Sequence, residues 1–268
     1  MTSSYRPFAL VNGRWQPAPR SAHLVPPEPE LRVLTWNVWF GDHMFAERAA
    51  ALRSELARRR PHVVALQEVT GELLELLLAE PWLRSAYQIS DVEMWQRYDI
   101  VMLARLPMRA VTSIELPTLM GRRLLVAELA CGLAVGSVHL ESMKTSTALR
   151  VEQLELIQPA LTALGDAVFV GDMNFSPDDA AETSALDPAF LDVWPTLHPD
   201  EPGYTADSAV NHMRFMLKPS KSQKRIDRVF LHSTRWRASH IELVGAEPID
   251  DEGTFASDHF GLEVTLRR

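Results

Sequence analysis

A chain of 268 residues, 46% of them hydrophobic, can bury a large core, and its length fits one large α/β domain or two small ones, of which one is expected. The formal net charge of -8 excludes a broadly basic coat for nucleic acid, because neutralising phosphates takes clustered Lys and Arg, and leaves room only for a local basic patch. The single cysteine, Cys131, excludes an internal disulfide and a Cys-based zinc site and is compatible with a reducing compartment.

The first residues, MTSSYRPFALVNGRW, have neither the basic start nor the unbroken apolar stretch of a signal peptide, and no later run is long enough to span a membrane. A cytoplasmic location with no membrane partner is therefore expected. Residues 1–30 are rich in proline (Pro7, Pro17, Pro19, Pro26, Pro27, Pro29), and Asn12-Gly13 inside FALVNGRW predicts a small hairpin with a type I′ turn. This segment reads as an appendage to a single domain over 31–268.

From residue 31 strands and helices alternate: strand LRVLTW, a helix over about 45–60 stopped by Pro61, strand HVVALQ, and the short helix GELLELLLAE. Between 87 and 140 the chain offers YQISDVEM, YDIVMLAR, RAVTSIEL, RRLLVAEL and LAVGSVHL, β-rich runs that read as antiparallel pairs. A long helix over about 146–164 leads into strand AVFVGDMN. A looser region to residue 224 precedes strands RIDRVFLH, SHIELVG and FGLEVTLR. No fixed-period repeat is present. Helix–strand alternation outside and meanders inside predict an α/β fold with two packed sheets and helices on both outer faces.

Polar residues recur where these strands end. Asn37 closes LRVLTW, Glu68 closes HVVALQ, His139 sits near the end of LAVGSV, Asp172 and Asn174 follow AVFV, Asp227 lies in RIDRVF, and Asp258-His259 opens the last strand. Each has an ordinary structural explanation: a turn former, a helix-capping acid, a core histidine, a partner for Arg225 or Arg228. Independent turns give no reason for carboxylates, amides and imidazoles to gather together at strand ends. Carboxylate and amide oxygens suit Mg²⁺, and the lack of closely spaced His or Cys speaks against zinc.

Six motifs in order carry a resemblance: TWN (35–37), LQEV (66–69), SVHLES (137–142), GDMN (171–174), RIDR (225–228) and SDHFGL (257–262) resemble the endonuclease/exonuclease/phosphatase superfamily. The resemblance covers about residues 31–268 and implies a four-layer α/β/β/α sandwich, two mixed β-sheets flanked by helices as in deoxyribonuclease I, with metal-dependent phosphoester hydrolysis. HLES, GDMN, DVW (192–194), GYT (203–205) and SDHFGL are most similar to the branch that releases tyrosine adducts from DNA 5′ ends.

On that resemblance Glu68 is the principal Mg²⁺ ligand (Mn²⁺ as substitute), with Asn37 and Asp258 in direct or water-mediated contact. Asp172 orients and deprotonates water, and Asn174 fixes the nucleophile or phosphate. His259 is held as imidazolium by Asp227, while His139 grips the phosphate from the other side and assists the leaving oxygen. Ser142 joins the substrate-binding set, and Arg122 and Arg123 are second-rank candidates for gripping a polyanion. Arg214, Lys218, Lys221, Lys224 and Arg225 form a run without an acid, either a solvated loop or a clamp for a polyanion. Phe175 and Ser176 stand where that branch usually carries Leu and Arg, and Ala206 where it tends to carry Trp, which removes a cap contact and a stacking platform.

The expected protein is a monomeric Mg²⁺-dependent phosphodiesterase acting on nucleic-acid ends, 5′-tyrosyl-DNA or single-stranded DNA. The alternatives are a phosphatase or diesterase for a small phosphorylated molecule, or a non-catalytic binding module on the same fold. Salt dependence separates the first two.

Overall fold

In chain order, the computed structural model has β1 (Thr2–Tyr5), β2 (Phe8–Val11), β3 (Arg14–Pro17), β4 (Glu30–Asn37), α1 (Phe45–Arg59), β5 (Val63–Thr70), α2 (Gly71–Ala79), α3 (Pro81–Ala86), β6 (Gln88–Ile89), β7 (Tyr98–Ala104), β8 (Met108–Glu115), β9 (Arg123–Leu129) and β10 (Ala134–His139). Then come α4 (Thr147–Thr162), β11 (Ala167–Asp172), α5 (Ala180–Ser184), β12 (Leu191–Asp192), α6 (Val193–Leu197), β13 (Ala206–Asp207), α7 (His212–Leu217), β14 (Gln223–Lys224), β15 (Asp227–His232), β16 (Arg237–Val244) and β17 (Gly261–Arg267). The structure describes residues 1–19, 29–217 and 221–268, with the backbone alone over 215–217.

The strands form an eight-stranded sheet, β16-β17-β4-β5-β7-β6-β2-β3, and a seven-stranded sheet, β1-β8-β9-β10-β11-β15-β12, with β13-β14 as a small ribbon. Both large sheets are mixed, because β4 runs parallel to β5 and β10 parallel to β11 while their other pairs are antiparallel. Period-two alternation explains why nearly continuous apolar runs suit these strands. In β5, Val63 and Ala65 enter the core between the sheets, whereas Val64 and Leu66 pack under Leu52 and Leu56 of α1 and Leu74 and Leu77 of α2. The other sheet repeats the scheme: Val168 and Val170 face the shared core, and Phe169 packs with Leu154, Ile157 and Leu161 of α4. The result is the four-layer α/β/β/α sandwich.

Two local differences from the sequence pattern have physical causes. YQISDVEM supplies only the two-residue β6: Ser90 N–H still donates to Met102 O at 2.9 Å, but the return bond from Met102 N–H goes to the Ser90 hydroxyl at 2.9 Å and the Tyr5 hydroxyl donates to Asp91 at 3.1 Å, so side chains take over from the ladder at Ser90. Nor do β7 and β8 pair with each other: the chain crosses between sheets there, and β7 lies against β5. The N-terminal segment edges both sheets, β1 on β8 and β2 on β6. Its β2–β3 hairpin turns at Asn12 (φ 52) and Gly13 (φ 77), the two left-handed positions of a type I′ turn.

Candidate active site

The two parallel pairs aim four strand ends at one place. Asn37 ends β4, Glu68 lies near the end of β5, His139 ends β10 and Asp172 ends β11, while Asp227 begins β15 and Asp258-His259 directly precede β17. Within the seven-stranded sheet His139 pairs with Asp172 and Asp172 with Asp227, so these three stand in one row. The sheets meet where Asn37 Nδ2 donates to Asp172 Oδ2 and to Glu68 Oε1, each at 3.0 Å.

Glu68 reaches this mouth through a break in alternation. Gln67 faces the inter-sheet core, donating to Ser137 at 3.1 Å, so a regular strand would turn Glu68 toward the helices. Instead the β5–β7 register shifts between Leu66 and Val69, and Glu68 adopts φ 63, which re-aims its carboxylate to accept from Asn37 and, at 3.0 Å, from Phe40 N–H. The loop after Asn37 is pinned by Arg48, whose guanidinium donates to the carbonyls of Val38, Trp39, Gly41 and His43. In β11, Gly171 at φ 133 brings the backbone against β10, where a Cβ would meet Val138 O at 2.0 Å.

Asp172 is buried, with Oδ1 accepting Asn174 N–H at 2.9 Å. Burial, and then Asp227, push its pKa up to about 6. Burial and Asp258 likewise raise Glu68. His259 Nδ1 lies 2.8 Å from Asp227 Oδ2. Burial opposes the imidazolium, yet Asp227, Asp258 and Asp172 outweigh it and lift His259 to about 10, so it is charged at neutral pH. His139 is driven the other way, well below the ordinary histidine value, by burial and by Arg122, whose Nη1 and Nη2 lie 3.0 and 3.2 Å from its ring nitrogens. Arg122 Nη2 also donates to Ser142 Oγ at 3.0 Å, and Asn174 Nδ2 donates to Leu140 O at 3.0 Å and to Ser142 Oγ at 3.3 Å.

The donor set fits a hard cation. Glu68 and Asp172 are both raised, first by burial and then by a neighbouring carboxylate, and the buried Asp227 Oδ1 has no hydrogen-bond partner among the described residues. Ligand atoms of Asp172, Asp227 and His259 lie within 4.8 Å of one another. His259 Nδ1 is taken up by Asp227 and its ring is lifted to about 10, so the carboxylates rather than the imidazole are the groups that could hold a cation. Asn37, expected in direct or water-mediated contact with the cation, accepts Trp39 N–H on Oδ1 at 3.0 Å and turns its NH₂ to the carboxylates, so it orients Glu68 and Asp172. Asp258 is not free either, receiving Arg214 Nη1 at 2.9 Å.

The expected basic clamp divides. Lys218 lies outside the described residues, Lys221 is exposed, and Lys224 is half-buried in β14. Arg225 must be corrected: it is buried, with Nη1 2.9 Å from both oxygens of Asp192, which also takes Arg228 Nη2 at 2.5 Å, so its charge is spent inside the protein. Arg123 is likewise bound to Asp99 at 3.1 Å and Asp91 at 3.5 Å. Phe175 is fully buried, 5.1 Å beneath the Arg228 guanidinium, and makes no cap.

Four supporting residues carried no assignment in the sequence reading, although each lies inside a quoted motif. Thr205 of GYT accepts the N–H of Ile226 at 3.2 Å and of Asp227 at 3.0 Å. Ser257 of SDH donates to Asn37 O at 2.6 Å, and Trp36 of TWN donates to His259 O at 2.9 Å. Glu141 of HLES is buried and faces the 117–122 loop.

A model described as Endonuclease/Exonuclease/phosphatase family matches residues 34–259. Tyrosyl-DNA phosphodiesterase 2 of Xenopus tropicalis is 30% identical over 250 residues, 88% of this chain and 65% of the relative. That of Danio rerio is 31% identical over 254 residues, 89% and 67%. The chain thus spans about two thirds of the length of these curated relatives. Among solved structures, D. rerio TDP2 complexed with single strand DNA product superposes with a TM-score of 0.79 at 28% identity, covering 90% of this chain and 100% of that one. An endonuclease/exonuclease/phosphatase from Beutenbergia cavernae shares the fold, with a TM-score of 0.64 at 20% identity over 90% of this chain and 72% of that one.

Proposed function

Because this chain belongs to the endonuclease/exonuclease/phosphatase family, whose model spans residues 34–259, we propose that it is a Mg²⁺-dependent phosphodiesterase acting on nucleic-acid ends, with 5′-tyrosyl-DNA or single-stranded DNA as substrate. The observation that carries this reading is the meeting of Glu68, Asp172 and the Asp227–His259 pair at one mouth, bridged by Asn37.

Glu68 and Asp258 would hold the cation, which when bound withdraws charge from a phosphate oxygen. Asp172, with a pKa of about 6, is ionised at neutral pH and close enough to it to take a proton from water. Its two oxygens are aimed by Asn37 and by the Asn174 N–H. The His259 imidazolium offers its remaining N–H and its charge to oxygens that become more negative in the transition state. His139, held neutral, contributes a hydrogen bond rather than a charge, which leaves Arg122 as the cation on that side.

A second reading, a diesterase for a small phosphorylated molecule, is favoured by the withdrawal of Arg225 into the Asp192 pair and by the net charge of -8. One activity panel decides. Phosphotyrosyl-DNA, plain single- and double-stranded DNA, RNA and inositol phosphates are compared with Mg²⁺, Mn²⁺ and EDTA, across low and moderate salt. Salt-sensitive turnover of the DNA substrates supports the first reading, since displacing counterions from nucleic acid makes binding steeply salt-dependent. Preference for inositol phosphates with weak salt dependence supports the second.

A further inference from the structure

Glu141 is an acid that the chemistry above does not use. It lies two residues beyond His139, is 0% exposed, and turns away from the mouth. Both of its carboxylate oxygens are spent on the loop that ends in Arg122: Oε2 accepts the Thr118 hydroxyl at 2.6 Å and Oε1 accepts Leu119 N–H at 3.1 Å. A threonine hydroxyl has one proton and two lone pairs. With the proton committed to Glu141, the lone pairs of Thr118 Oγ1 take Met120 N–H at 2.9 Å and Arg122 N–H at 3.0 Å. The loop is thereby folded around one oxygen, and Gly121 at φ 74 makes the remaining turn. Gln153 of α4 closes the arrangement, donating to Pro117 O at 2.8 Å and accepting Glu141 N–H at 3.0 Å.

From this anchored backbone the Arg122 side chain reaches His139 and Ser142, with its guanidinium 5.8 Å above the Tyr98 ring. We propose that Thr118 and Glu141 are positioning residues that set the Arg122 guanidinium for a substrate phosphate. This rests on the phosphodiesterase reading. A buried carboxyl suits the task because its two oxygens take the Thr118 hydroxyl and the Leu119 N–H at once, which fixes the hydroxyl rotor. Arg122 alone, on a loop without the Thr118 anchor, would lose its orientation toward the mouth, and misplacement by about an ångström costs up to about a hundredfold in rate.

The test is a double-mutant cycle on the full chain, read with thymidine 5′-(4-nitrophenyl) phosphate and, independently of turnover, by calorimetric binding of inorganic phosphate. Thr118→Val keeps the shape of the side chain and removes the hydroxyl. It should lower kcat/KM by about tenfold to a hundredfold and weaken phosphate binding, while Thr118→Ser restores both. Combined with Arg122→Ala, Thr118→Val should add nothing, because its effect passes through Arg122. Should Thr118→Val fold poorly, Glu141→Gln carries the same cycle with a near-isosteric side chain. Additive losses in the double mutant, or unchanged kcat/KM and phosphate affinity in Thr118→Val, overturn the proposal and leave a merely structural loop. Absence of any wild-type turnover removes the phosphodiesterase reading instead, and phosphate binding still decides whether Thr118 acts through Arg122.

Discussion

Replacing Asp227 by Asn changes one charge and almost no volume, and the structure fixes which way the pH profile must move. His259 Nδ1 sits 2.8 Å from Asp227 Oδ2 in a site where burial alone would drive the ring neutral. Asp227 is the foremost of the carboxylates that overcome this burial, ahead of Asp258 and Asp172, and together they bring the ring to about 10. An opposite charge at such a distance is worth about 1–3 pKa units, so its loss should return His259 to roughly 8. With the imidazolium as the proposed acting form, activity should be present below this pKa and lost as pH rises through it. The alkaline limb of kcat/KM should therefore move from near 10 in wild type to roughly 8 in Asp227→Asn. Asp172 is also raised in part by Asp227, so the acid limb should shift to lower pH in the same variant, carrying the whole bell acidward. The amide oxygen can still accept from Nδ1, so the ring stays in place. The assay is kcat/KM for an aryl phosphodiester between about pH 5 and 11 at saturating Mg²⁺, with His259 ring titration followed by NMR as a second readout. Superimposable profiles would show that the pair does not govern the reaction.

Other outcomes follow from the same geometry. Glu68→Gln and Asp172→Asn should each lower kcat by about a hundredfold to a thousandfold without lowering the unfolding midpoint, since each removes a buried charge whose ionisation is already disfavoured; full turnover after EDTA treatment would end the metal mechanism. Gly171→Ala should unfold in lower denaturant by at least about 2 kcal/mol, because φ 133 is strained for alanine and its Cβ would sit 2.0 Å from Val138 O. Asp192→Ala leaves the buried Arg225 and Arg228 without their shared anion and should cost roughly 3 kcal/mol in chemical denaturation; a loss under about 1 kcal/mol would mean that water reaches them. Neutralising Lys218, Lys221 and Lys224 together should raise KM for an oligonucleotide and flatten its salt dependence while sparing a small nitrophenyl diester, and wild-type behaviour across the salt range would dismiss the clamp.

Most of the scaffold is legible in the sequence because burial on both faces leaves a simple mark. Val63 to Leu66 and Val168 to Val170 are apolar at every position, since one set faces the second sheet and the other a helix. The candidate site residues are legible for a related reason: each stands where such a run stops or starts, at a strand end that the fold gathers on one side. Partnership between charges is not written in the pattern. Arg225 and Arg228 flank Ile226 and Asp227 in RIDR, three positions apart and so without a shared strand face, and only Asp192 from β12, beside β15, brings both guanidinium groups to one anion. Nor does the sequence say which atom of Asn37 faces the mouth. That is decided by Trp39 N–H, which claims the amide oxygen.

The backbone conformations separate local necessity from function. Among the described non-glycine residues with positive φ, Asn12 serves a type I′ turn and Arg60 a left-handed helix C-cap. Trp39 (φ 57), Glu68 (φ 63) and Asn174 (φ 54) serve neither a hairpin turn nor a helix cap; instead each sits on a segment that hands a hydrogen bond or a carboxylate to the mouth. A strained residue costs on the order of 1–3 kcal/mol and persists only where its surroundings over-determine it. Here they do, and in a connected way. The Asn37 amide fixes Glu68 and Asp172 together, the Trp39 and Phe40 N–H groups donate to the Asn37 amide oxygen and the Glu68 carboxylate in return, and Arg48 ties down the carbonyls of that same loop. The fold thus gathers carboxylates at one mouth although burial first, and then Asp258 for Glu68 and Asp227 for Asp172, disfavour their ionisation. Cation binding should accordingly stabilise the folded chain beyond any effect on the unfolded one, because an ion held by Glu68 and Asp258 would offset the like charge that, after burial, disfavours ionisation of Glu68; an unfolding midpoint unmoved by Mg²⁺ would refute this.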